Sequence, residues 1–73
     1  MTNEQKIKVL EEILDLEENS LKPQTILKDL EEWDSVAFLS FIAMMDDEFG
    51  KTIKGSVVRE QKTVADLMAL MEK

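Results

Sequence analysis

The chain has 73 residues, enough for one domain spanning residues 1–73, with 16 Asp and Glu against 9 Lys and Arg and a net charge of −7. That balance repels nucleic-acid phosphates and anionic membranes and favours partners with basic patches. Cys, His and Tyr are absent, which excludes a disulfide, thiolate or imidazole metal ligands and a Ser-His-Asp arrangement within the chain.

Thr2-Asn3-Glu4-Gln5 opens a helix, because Thr2 and Gln5 have the spacing of a reciprocal capping box. Ile7, Leu10, Ile13 and Leu14 then recur at helical spacing. The helix is expected from residue 3 to about residue 16, with a Glu-rich opposite face in solvent. Glu17-Glu18-Asn19-Ser20 starts a long connection. Pro23 has no N–H and turns Lys22 away from helix. Leu21, Ile26, Leu27 and Leu30 should pin this connection across the helices, with room for one helical turn between residues 26 and 30. A connection longer than ~12 residues is uncommon in a small domain and is often functional.

Trp33-Asp34-Ser35 stands before the most apolar stretch of the chain. Asp34 or Ser35 can cap the helix that follows, by accepting a bond from a free N–H of its first turn. Phe49-Gly50 ends it, with Gly50 free to take the left-handed conformation. Between Val36 and Met45 only Ser40 is polar, so the helix must either be deeply buried or keep an apolar face for a partner. At ~100° per residue, Phe38, Phe41, Ile42, Met45 and Phe49 share an inward arc with Leu39 at its edge. Val36, Ala37, Ser40, Ala43, Met44, Asp47 and Glu48 fall on the other arc, which reads as a docking surface. Ser35 sits at the helix start, where free N–H groups and the helix dipole both favour an anion. With no in-chain His to activate it, modification of Ser35 needs another protein to perform the chemistry. Trp33, the only Trp, is placed to cover the open end of the core and to shape the surroundings of Ser35.

After Gly50, residues 51–54 read as extended with Ile53 as an apolar anchor, and Gly55-Ser56 leads a short helix over 57–61. Thr63 caps the last helix, with Asp66 in the reciprocal position, and Val64, Leu67, Met68 and Met71 form its apolar stripe. No stretch alternates cleanly enough for a strand. The fold expected is an all-α four-helix bundle of three main helices, one short helix and a long first loop. The adjacent acids Glu11-Glu12, Glu17-Glu18, Glu31-Glu32 and Asp46-Asp47-Glu48 are poor acid/base pairs, because adjacent residues on a helix do not face each other. No apolar run approaches the ~18 residues of a membrane span, and MTNEQKIK lacks the order of a signal peptide; a soluble cytoplasmic monomer is expected.

The order of these features resembles the acyl carrier proteins, small four-helix carriers of 4′-phosphopantetheine. Leu27-Lys28-Asp29-Leu30-Glu31-Glu32-Trp33-Asp34-Ser35-Val36 is similar to the L-x-D-L-x-x-(W)-D-S-L stretch of many of them. The resemblance covers essentially the whole chain. It implies that a phosphopantetheinyl transferase moves 4′-phosphopantetheine from coenzyme A to the Ser35 hydroxyl. An acyl or aminoacyl group would then ride on the arm as a thioester. It also implies that Asp34 helps position the transferase's metal and cofactor, and that Val36, Ala37, Ser40, Ala43, Met44 and Asp47 form the recognition face. The partners implied are an acyl-activating ligase or acyltransferase and downstream synthase enzymes; the chain itself would not be an enzyme and would bind no nucleic acid. Trp33 stands where fatty-acid-synthesis members have a small residue, and Ala37 and Ser40 where they often carry acids. The resemblance is therefore to accessory carriers of specialised pathways, with apolar contact around Val36, Ala37 and Met44. Phe38, Phe41 and Trp33 are bulky near the attachment point, so short or polar acyl groups, or chains left outside the core, are expected. An unmodified acidic helical adaptor, using the same fold and helix face for protein binding, is the alternative.

Overall fold

The structure is a computed structural model describing residues 2–72. Its described helices are α1 (Asn3–Leu14), α2 (Ser35–Phe49), α3 (Gly55–Glu60) and α4 (Val64–Leu70), with a 3-10 turn at Leu27–Asp29 in the long first loop. The all-α bundle expected from the sequence is therefore present, including the turn in the loop. The only strand-like feature among the described residues is an isolated antiparallel bridge between Ile26 and Thr63.

α1 begins where the capping box requires. Thr2 accepts a bond from the Gln5 N–H, and the Gln5 side chain accepts one from the Thr2 N–H. It ends two residues earlier than the apolar pattern suggests. Asp15 takes the left-handed conformation at φ 56°, its N–H bonds the Glu12 carbonyl, and the Leu16 N–H reaches back to the Glu11 carbonyl at 2.8 Å. These two bonds close the helix and turn the chain away. The short third helix differs in the other direction: it starts at Gly55, with Lys54 as a cap that makes no side-chain bond.

The α1 face read as solvated is not uniformly so. Glu11 is 3% exposed, and its carboxylate accepts the Leu21 N–H at 3.0 Å. A buried charge must be hydrogen-bonded to be tolerated, and here the bond holds the start of the long loop against α1. Lys6 is also buried, with its ammonium 3.7 Å from Glu72.

The core is formed by Leu10 and Leu14 of α1, Leu21 and Leu27 of the loop, Ala37, Phe41 and Met45 of α2, Val58 of α3, and Val64, Leu67, Met68 and Met71 at the end of the chain. The last four are the apolar stripe expected of the final helix. α2 departs from the expected division of its faces. Its innermost row is Ala37–Phe41–Met45, spaced four apart, with Phe38, Ile42 and Phe49 half-buried on one flank and Met44 on the other. Ala37, expected on the docking face, is buried, and Leu39, expected at the edge of the core, is 63% exposed. The bulk of Phe38, Ile42 and Phe49 drew the expected arc round the helix, whereas Ala37 enters the core because it lies one turn before Phe41.

α4 is tied down at its start by the loop. The free first-turn donors of Val64 and Ala65 bond the carbonyls of Thr25 at 3.0 Å and Pro23 at 2.8 Å, and the third, Asp66, bonds the Thr63 hydroxyl. The Asp66 carboxylate accepts in turn from the N–H groups of Lys62 and Thr63. These two bonds hold the carboxyl below the usual carboxylate range. The folded pKa lies under the unfolded one, so the stabilisation is complete above the ordinary carboxylate range and fades as the pH drops through the lowered value. Urea midpoints measured from pH 7 to pH 2 should converge for the native chain and Asp66→Ala as the pH falls; parallel curves would show that the cap carries no pH dependence.

Candidate phosphopantetheine attachment site

The site begins with a division of labour between two adjacent residues. Leu30 and Glu32 accept bonds from the N–H groups of Trp33 and Asp34, so the chain turns immediately before α2. Asp34 is the cap: its backbone is extended, and its Oδ1 accepts the Ala37 N–H at 2.9 Å. Ser35 is therefore the first residue of α2 and is not needed to cap it. Its hydroxyl is exposed and has no hydrogen-bond partner among the described residues. The N–H groups of Ser35 and Val36 likewise meet no acceptor there, which leaves donors facing the position an anion on Ser35 would occupy.

Beside Ser35 lies a shallow cleft of ≈ 230 Å³ lined by Trp33, Asp34, Ser35, Phe38 and Arg59. Its floor is aromatic. Trp33 meets Phe38 and Phe41 edge to face, each at 6.3 Å between centroids, a spacing at which such pairs attract beyond their area burial. Phe38 extends to α3, where a Cβ on Gly55 would stand 3.2 Å from its ring. The Arg59 guanidinium lies 5.3 Å over the Phe38 ring. Arg59 was not singled out by the sequence, because only the fold brings α3 beside Ser35.

A roomier hollow, ≈ 720 Å³, opens against Glu48 and Phe49 at the other end of α2 and is lined by no hydroxyl side chain. Among the described residues no three acidic side chains group closely enough to hold a metal ion, and no helix is long and apolar enough to cross a membrane.

Of the expected recognition residues, Val36, Ser40, Ala43 and Asp47 lie on one exposed stripe of α2, Met44 is half-buried at its side, and Ala37 is beneath it. Leu39 joins the stripe; Val36 and Leu39 are among the most exposed large apolar side chains. The spacing of Val36, Leu39, Ser40, Ala43 and Asp47 is that of one helical face.

The family model for the phosphopantetheine attachment site matches residues 7–71. The chain belongs to that family and is a phosphopantetheine carrier. Family members are defined by a covalently attached 4′-phosphopantetheine and work with a phosphopantetheinyl transferase and partner enzymes. No curated protein and no solved structure matches the chain. The site's geometry fits the group: it offers an exposed hydroxyl and N–H donors without partners among the described residues, beside a shallow cleft.

Proposed function

We propose that the chain is a single-domain carrier, residues 1–73, which holds an acyl or aminoacyl group on a 4′-phosphopantetheine arm joined to Ser35 and delivers it to partner enzymes. The observation that supports Ser35 as the attachment point is its exposed hydroxyl, left free because Asp34 does the capping. Ser35 Oγ forms a bond to phosphorus as the pyrophosphate bond of coenzyme A breaks. Its proton passes to a base of the transferase, and adenosine 3′,5′-bisphosphate leaves. The attached group supplies the thiol that a chain without cysteine lacks. Asp34, adjacent and exposed, is the carboxylate available to the transferase's metal. The carrier is itself no enzyme and works as a cytoplasmic monomer. Intact mass after incubation with coenzyme A and a phosphopantetheinyl transferase should rise by one phosphopantetheinyl unit. A chain recovered unchanged with every competent transferase would leave only the adaptor reading.

The partner face in this reading is the stripe Val36, Leu39, Ser40, Ala43 and Asp47, with Met44 at its edge. Its first half is uncharged, which supports accessory partners, such as a dedicated acyl-activating ligase or acyltransferase and a synthase, that dock by apolar contact.

Short or polar cargo is supported by the packing beneath Ser35. Trp33, Phe38 and Phe41 occupy the space there, and Phe38 closes against Gly55. Opening that space for a long chain would cost aromatic packing. Amide spectra of the carrier loaded with a long acyl chain should therefore change near Ser35 and little at Phe41, Val58 and Leu67. Shifts spread through those three would mean that the chain is taken inside.

A further inference from the structure

The chain contains one arginine, and the fold sets it beside Ser35. Arg59 is in the last turn of α3 and shares the Ser35 cleft with Trp33, Asp34 and Phe38. Its guanidinium lies over the Phe38 ring in a cation–π contact and takes part in neither of the two ion pairs found among the described residues, Lys6–Glu72 and Lys8–Glu18. Several lysines also stand outside those two pairs, but Arg59 is the cation that lines the Ser35 cleft. A cation–π contact restrains the group without using its N–H donors.

We infer that Arg59 binds the phosphodiester of a tether on Ser35, holding the first part of the arm in the cleft; this rests on the reading of Ser35 as the attachment point. A phosphodiester carries a negative charge at every physiological pH, and on Ser35 it would stand next to the Asp34 carboxylate. Like charges at that range repel. A guanidinium offsets that repulsion and matches two phosphate oxygens with two parallel N–H donors. The free N–H groups of Ser35 and Val36 face the same anion from the helix end. Lysine at this position would keep the charge but lose the fork.

The test begins by confirming the mass gain on the native chain, then compares apo and holo forms. As the sole arginine, Arg59 gives one Nε–H signal to follow. On loading, that signal should shift, and the ³¹P resonance of the holo form should be displaced from that of a free pantetheine phosphodiester. Raising the salt to ~0.5 M should reverse both changes in part, because an exposed pair is screened. In Arg59→Gln the ³¹P resonance should return to the free position, and in Arg59→Lys only part of the displacement should remain. Loading should also raise the folding equilibrium constant of the native chain about two- to fivefold more than that of Arg59→Gln, the range of an exposed ion pair. A mass gain with an unmoved Nε–H signal and the same ³¹P position in both proteins would overturn the role of Arg59 and leave the carrier reading intact. Absence of any mass gain would overturn both. If Arg59→Gln does not fold, the apo and holo spectra of the native chain decide alone.

Discussion

Ser35→Ala should abolish the mass gain entirely while leaving the bundle as stable as before. The two effects should separate because the proposed attachment and the helix cap fall on different residues. The cap bond runs from the Ala37 N–H to Asp34, not to Ser35, and Ser35 lies exposed in the first turn with no side-chain bond to lose. Alanine is a better helix former than serine, so thermal midpoints should agree closely. Asp34→Ala provides the contrast: removing an N-cap typically costs ~1 kcal/mol, so that variant should melt earlier and also load more slowly. Intact mass and circular dichroism on the three proteins check both statements. A loaded Ser35→Ala chain would show that the arm sits on another hydroxyl.

Phe41→Ala should come close to unfolding the protein. Phe41 is 0% exposed at the centre of α2's inner row and receives the edge-to-face contact from Trp33. Replacing a buried Phe by Ala typically costs ~3–5 kcal/mol, through lost transfer energy and the cavity left behind. A core in a chain of this size supplies roughly the same amount in total. Urea titration of Phe41→Ala at 25 °C should therefore show little or no folded baseline. Leu39→Ala, from the exposed stripe of the same helix, should change stability by no more than ~0.5 kcal/mol. A loss under ~1 kcal/mol for Phe41→Ala would mean that the aromatic cluster is looser than its packing indicates.

What the sequence made legible was local chemistry. Thr2 with Gln5 and Thr63 with Asp66 announce two helix starts because each pair completes its bonds within three residues. Gly50, at φ 64°, ends α2 as a glycine in that setting should. The Asp34-Ser35 pair marked the start of α2, and the Oδ1 bond to the Ala37 N–H assigns the cap to Asp34. The misjudged features depend on parts of the chain distant in sequence. Glu11 looks like any surface glutamate until Leu21, ten residues on, brings its N–H over it. Ala37 carries too little bulk to announce that it is buried. Leu16 continues the apolar pattern of α1, yet Asp15 has already turned the chain. Arg59 is unremarkable in sequence and gains meaning only from its neighbour Phe38.

The carbonyls of Pro23 and Thr25 that bond the first N–H groups of α4 have a bearing on how the molecule comes apart. A helix of seven residues has no independent existence in water, and a long irregular segment has none either. Here each supplies what the other is missing, across some forty positions of polypeptide. Release of either one strips the other of these two bonds, so their openings are linked. The segment that leads to Asp34 and the last helix thus share one fastening, although they are far apart along the chain.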